Sequence, residues 1–226
     1  MRILRERIDE ARKARSISPL MTFLHDNMRA ASRQSPRDLI ACGKGCSHCC
    51  YVWVSARAPE VLLVKNALPA RERAAIQEAI DRACSITASM NFDERSNQPN
   101  PCPLLKDNIC QVYGSRPTTC QSAASTDSAI CERSYRHLAG EDIPIPLFYV
   151  TLRSGYSLAL AGALKHAGFP ATAYEFNTAL QVAMSRSDAE TAWLSGEDVF
   201  AGVPCDPVGD PFTIHGNRQL YDAAFG

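Results

Sequence analysis

The sequence carries no excess charge of either sign. Its 226 residues include 24 basic and 24 acidic side chains, for a formal net charge of zero. A chain so balanced has no electrostatic footprint for DNA, RNA or an anionic membrane, so no nucleic-acid partner is expected. It also lacks any uncharged apolar run near the ~20 residues that a membrane-spanning helix needs. No secretory leader is expected either. Residues 1–15 mix Arg with Glu and Asp, and the apolar piece behind them, residues 17–21, is short and broken by Pro19. These absences place the protein in the cytoplasm, where thiols stay reduced and clustered cysteines bind metal more often than they pair. Ten cysteines in 226 residues are too few for a disulfide scaffold, which runs to ~8–10%. Strand signals are scarce, and there is neither a repeat nor a low-complexity tract.

What is present is mostly helical pattern. Residues 1–15 place Ile3, Leu4, Ile8 and Ala11 on one stripe. Ser18-Pro19 starts a second helix with Leu20, Phe23, Leu24 and Met28 inward. Ser35-Pro36 repeats that start signal before residues 37–41. Tyr51, Val52, Trp53 and Val54 predict a short strand, and Pro59 opens a helix through Val64. A longer helix is expected over 70–90, with Ile76, Ile80, Ala83 and Thr87 on one face and Cys84 beside it as a small buried hydrophobe. Residues 91–101, rich in Asn and Pro, predict a mobile surface loop. Helical pattern returns near Asp127, with Cys131, Ser134, Tyr135 and Leu138 on one face, so that Cys131 is expected in the core and not on a metal. Further helices are expected over 147–168, 171–185 and 188–194. The tail from Ala201 is rich in Pro and Gly and predicts an irregular segment. The expected fold is mainly α, a single helical domain wrapped around a Cys-rich metal-binding loop region with at most short strands. It divides into N-terminal helices (1–40), a cysteine region (41–125), a C-terminal helical part (126–200) and a tail (201–226).

The cysteines are not scattered. Four lie within residues 42–50, spaced Cys42-x3-Cys46-x2-Cys49-Cys50, and three more follow as Cys102-x7-Cys110-x9-Cys120. Thiolates in Gly/Pro-bearing loops suit zinc and iron–sulfur clusters alike. Structural zinc sites favour two close Cys-x2–4-Cys knuckles, and the second half here has none. A remote cysteine followed by proline, Cys102-Pro103, leans toward an iron–sulfur cluster. Adjacent side chains on an extended chain point apart. Cys49 and Cys50 therefore serve one ion only if the loop bends sharply; otherwise one of them serves a second site or packs inside. Four thiolates on a divalent ion leave two negative charges, which Lys44, Lys106 and Arg116 are placed to offset. Cys42-x3-Cys46-x2-Cys49 also matches the cluster spacing of radical S-adenosylmethionine enzymes. Membership there implies an alternating α/β barrel, which the helical pattern after the motif does not provide.

Taken with the Tyr113-Gly-Ser-Arg116-Pro117 element ahead of Cys120, the seven cysteines resemble the YkgJ-like cysteine-cluster family of zinc- or iron-chelating domains. The resemblance covers roughly residues 40–125. It implies that Cys42, Cys46, Cys49, Cys50, Cys102, Cys110 and Cys120 form the metal-binding set, with zinc or iron as cofactor. It also singles out Tyr113, Arg116 and Pro117 as framework. Flagellin lysine N-methylases are similar in this cysteine pattern. His48, inside the first motif, is expected beside the metal and not on it. His25, His137, His166 and His215 have no partner spacing, and Asp206, Asp210 and His215 sit in ordinary turn sequences. Three functions follow: a metal-chelating protein, an iron–sulfur-dependent enzyme such as a protein lysine N-methylase or oxidoreductase, or a zinc-stapled interaction module. An enzyme should keep a pocket beside the cluster, whereas a stapled module should not.

Overall fold

The computed structural model describes residues 2–35 and 37–205. The tail sequences around Asp206, Asp210 and His215 lie outside the described residues. Among the described residues the chain forms ten α-helices and two small two-stranded sheets. The fold is therefore mainly α, as the apolar periodicity predicts.

The apolar body is built from both ends of the chain. Helices α1 (Arg2–Ala14) and α2 (Ser18–Ser32) bury Leu4, Ile8 and Ala11 and Leu20, Met21, Leu24 and Met28. Ile3, placed on that stripe by the sequence, is 47% exposed instead. Helix α3 (Ala58–Ala67) buries Val61, Leu62 and Val64, and α4 (Arg73–Thr87) contributes Ile76, Ile80 and Cys84. From the other end of the chain, α9 (Phe176–Ser185) and α10 (Ala189–Leu194) join the same core. Trp193 stacks on Phe169 with ring centroids 4.4 Å apart. Helix α8 (Leu147–His166) is divided. Its second half buries Leu160 to Leu164, while its first residue Leu147 is 78% exposed.

Four local expectations are corrected. The strand predicted at Tyr51 begins later, as β1 (Ser55–Arg57), because it pairs antiparallel with β4 (Ala173–Glu175). That long-range pairing also claims residues expected to open the helix over 171–185, so α9 starts at Phe176, where Glu175 accepts hydrogen bonds from the backbone amides of Asn177 and Thr178. The loop predicted over 91–101 contains α5 (Phe92–Ser96), started by a capping box in which Asn91 and Glu94 bond each other's backbone amides. Its Arg95 is only 2% exposed. Leu138, expected on a buried helical face, instead ends α7 (Ser128–His137) in a left-handed conformation and is 45% exposed.

Candidate metal centre

The cysteine segment is assembled by backbone hydrogen bonds between its two loops. The Ala41 amide donates to the Ser125 carbonyl at 2.9 Å and ties the segment's entry to its exit. Gly45 has φ +88°, a conformation that glycine adopts without strain. Residues His48–Tyr51 then form one 3-10 turn. The Cys102 amide donates to the Cys50 carbonyl at 2.7 Å, and the Asn100 amide to the Tyr51 carbonyl at 3.2 Å. Arg95 clamps this junction from below, donating to the carbonyls of Tyr51, Gln98 and Asn100.

The second loop is more regular than its Pro and Gly content predicts. Strands β2 (Leu105–Lys106) and β3 (Ile109–Cys110) form a hairpin, with Leu105 opposite Cys110. Asp107 and Asn108 at its tip both have positive φ, 50° and 60°, which is the backbone of a tight two-residue hairpin. The Ser47 hydroxyl donates to the Asn108 side-chain carbonyl at 3.0 Å, fixing the hairpin tip to the first loop. Pro117 then leads into the short helix α6 (Thr118–Gln121), which carries Cys120.

The thiols occupy two neighbourhoods that meet at Cys49. Burial pushes the Cys102 and Cys120 thiols up to about 12, and each feels the other loop thiols as further negative charge. Cys110 is raised by burial and by Cys49. On the other side, burial raises Cys42 and Cys131, and both respond to Cys46 and Cys49. Cys49 is raised chiefly by its hydrogen bond with Cys50, and then by burial. The 3-10 turn answers the question raised by this adjacent pair. Consecutive residues in such a turn are rotated by roughly 120° rather than 180°, so the two thiols touch. The loop is bent.

Cys131 is 6% exposed, as its place in the α7 pattern predicts, yet its thiol borders the same space as Cys42, Cys46 and Cys49. Helix α7 brings it there by packing on the 48–51 turn. Arg136, on the same helix, lies over the Tyr51 ring at 4.4 Å and donates to its hydroxyl.

The cations divide. Arg116 lowers the cost of ionising Cys49, Cys110 and Cys120. Its guanidinium is held over the Tyr113 ring at 3.7 Å and donates to the Tyr113 carbonyl at 3.0 Å. Tyr113 itself is 65% exposed. Lys106, placed by the sequence as a counter-charge, instead pairs with Glu72 at 3.1 Å. Lys44 is exposed. His48 borders the thiols with its Nδ1 buried and without a hydrogen-bond partner.

The donor set fits a thiophilic metal: eight soft sulfurs, a guanidinium to balance charge and a buried imidazole nitrogen. Among the described residues, however, no three His, Cys, Asp or Glu side chains stand in ligating geometry. The loops bring the sulfurs near enough to feel one another's charge. Burial and mutual repulsion hold most of these thiols protonated, so a metal would displace protons as it binds.

Beside the Cys42–Cys46–Cys49–Cys131 wall lies a cavity of about 480 Å³. The same lining includes Tyr149, Arg153 and Ser157 of α8. These three follow at i, i+4 and i+8, so they share one helix face. Arg57 closes the inner end, only 4% exposed, with its Nη1 donating to Ser157 Oγ at 2.9 Å. Sequence reasoning singled out neither arginine. Arg57 and Arg153 lie in no cysteine loop, and only the β1–β4 pairing and the placement of α8 bring them here.

Fold and site together describe a cysteine-rich segment carried on a helical body. Residues 41–137 match the model of the CxxCxxCC family, described as a putative zinc- or iron-chelating domain. That match spans both cysteine loops and α7, and so takes in Cys131 along with the seven motif cysteines. The N-terminal helices and α8 to α10 lie outside it. No curated protein and no solved structure matches the chain. No helix among the described residues is long and apolar enough to cross a membrane.

Proposed function

We propose that the protein holds zinc or iron on Cys42, Cys46, Cys49, Cys50, Cys102, Cys110 and Cys120, with Cys131 as an eighth thiol, and that an iron–sulfur cluster is the form bound. The observation that supports this most directly is the convergence of both loops at Cys49, whose thiol is felt by Cys42 and Cys131 on one side and by Cys110 and Cys120 on the other. Eight thiols are enough for two four-thiolate centres. The cluster form rests on the spacing of the second loop and on Cys102-Pro103. When bound, such a cluster supplies one-electron chemistry or a Lewis-acidic iron. The chain's own residues position it: Arg116 offsets thiolate charge, and His48 borders the sulfurs.

Anaerobic purification followed by metal analysis, visible absorption and acid-labile sulfide tests this. Brown protein with iron and sulfide in equal amounts is the expected result. Colourless protein with stoichiometric zinc overturns the cluster form, and metal-free protein overturns the whole reading.

A second reading, an iron–sulfur-dependent enzyme, is favoured by one observation: the cavity of about 480 Å³ shares a wall with four of the thiols. A centre that only stapled the fold would need no such space.

A further inference from the structure

We propose that His48 is a metal ligand, its Nδ1 joining the thiolates of Cys42, Cys46, Cys49 and Cys131 on the side of the centre that faces the cavity. The proposal rests on the metal-centre reading and deepens it, because it puts a nitrogen where the motif spacing supplies only sulfur.

The orphaned nitrogen comes first. His48 Nδ1 is shut off from solvent and has no hydrogen-bond partner. Buried polar atoms nearly always have a partner, so one without it calls for an explanation. The hydroxyls that could serve are committed elsewhere. Ser47 Oγ donates to the Asn108 side-chain carbonyl. Ser125 Oγ donates to the Asp127 carbonyl and accepts from the Asp127 amide. The Tyr149 hydroxyl lies 3.0 Å from Ser35 Oγ. The soft donors that share the cavity lining with His48 are the sulfurs of Cys42, Cys46, Cys49 and Cys131. A nitrogen lone pair in that company suits a thiophilic ion. Zinc takes sets of three cysteines and one histidine, and histidine stands in for cysteine in some iron–sulfur clusters.

Placement comes second. His48 opens the 3-10 turn that also carries Cys49 and Cys50. That turn is held from three sides. Ser47, 3% exposed, is tied to the hairpin tip. The Cys50 amide donates to the Ser47 carbonyl at 2.9 Å, and α7 packs on the turn with Cys131. Fixed backbone thus presents the imidazole beside the thiols, as a preorganised ligand requires. His48 is also the histidine on that lining. His25 is engaged by the Gln121 side-chain amide, and His137 is exposed at the end of α7.

Cadmium-113 exchanged into the full-length protein labelled with nitrogen-15 histidine tests the proposal, with cadmium as the thiophilic probe. One cadmium resonance should be split by one-bond coupling to a histidine Nδ1, and His48→Gln should abolish that splitting. His48→Cys should keep the metal and move the same resonance downfield, toward all-sulfur coordination. An imidazole that only borders the sulfurs predicts no splitting, and a resonance unmoved in His48→Gln. Cadmium bound without histidine coupling overturns the proposal and leaves the metal centre standing. Coupling through Nε2, or coupling that persists in His48→Gln, overturns it as well. Should His48→Gln not fold, the wild-type splitting and His48→Cys decide the matter. Protein that retains no cadmium sinks both readings.

Discussion

The helical body and the cysteine segment are held by different forces. The body buries Trp193, Phe200, Ile8, Leu20, Met21, Leu24, Leu62 and Ile80 almost completely, and burial at about 25 cal/mol per Å² of apolar surface is its main stabilising term. Between residues 98 and 125 the largest fully buried apolar side chain is Leu104. That stretch is stitched instead by single hydrogen bonds: Cys102 to Cys50, Ala41 to Ser125, Ser47 to Asn108. Each such bond contributes only about 0.5–1.5 kcal/mol net. On the proposed function a metal adds a further constraint to the segment, whereas the body folds on its apolar pattern alone.

The sharpest break of that contrast comes from the thiols. Cys46→Ser and Cys110→Ser, one from each loop, should each abolish stoichiometric metal binding, since one change on either side disrupts the shared region around Cys49. Metal analysis of the purified variants reads this. Full metal content in either variant would mean that the two loops do not cooperate. Far-UV circular dichroism should meanwhile change little, because α1, α2, α3, α9 and α10 carry no motif cysteine.

The complementary change is Trp193→Ala. The side chain is 1% exposed and stacked on Phe169, so its loss should cost about 3–5 kcal/mol, read as a lower urea midpoint. Metal stoichiometry below the unfolding transition should stay as in wild type. Arg95→Ala should cost less, about 2–3 kcal/mol, because it removes charge-assisted donors to the carbonyls of Tyr51, Gln98 and Asn100. Unlike the tryptophan change, it acts at the junction of the two loops and should also weaken metal retention against a chelator. Equal retention in both variants would erase the distinction between body and segment.

These two residues also mark what the sequence does and does not disclose. Trp193 falls in a helix read directly from its pattern, and the seven motif cysteines are visible from spacing alone. Arg95 lies in a stretch whose Asn and Pro content predicts a mobile loop. The one local signal against that reading is Asn91-x-x-Glu94, a capping box. Even so, one of the three carbonyls that hold this buried arginine comes from a loop more than forty residues away. The same reason hides β1 and β4, whose pairing joins residues 55–57 to 173–175, and hides Arg57 and Arg153 as neighbours. Cys131 is a different case. Its periodicity correctly predicts burial, but periodicity does not show that the surface it meets is the other thiols.

A pH titration bears on the contact between body and segment. His25, on α2, is buried and its Nε2 lies 3.0 Å from the Gln121 side-chain amide, beside the motif turn at Gly114. Burial lowers its affinity for a proton below the ordinary value of 6.5. The unfolded chain then binds more protons than the folded one, so stability is full above about 6.5 and falls as pH drops through that value toward the lower folded one. Unfolding midpoints between pH 8 and pH 5 should show this slope, and His25→Gln should flatten it. An unchanged slope in the variant would assign the acid sensitivity to the thiols or carboxylates.

The smallest effect is expected at the cysteines outside the centre. Cys84 is 3% exposed in the α4 face, apart from both cysteine loops, and burial pushes its thiol up to about 12, so it is no ready nucleophile. Cys84→Ala should cost about 1 kcal/mol and leave metal content at the wild-type value. Cys205 is exposed at the edge of the described residues, where it bridges to Tyr174, and Cys205→Ser should change neither stability nor metal. Iodoacetamide should label Cys205 in the folded, metal-loaded protein and spare Cys84. If Cys84→Ala lost metal, the body would be part of the centre after all, because Cys84 lies on α4, which packs on α9, and bonds Thr178 there.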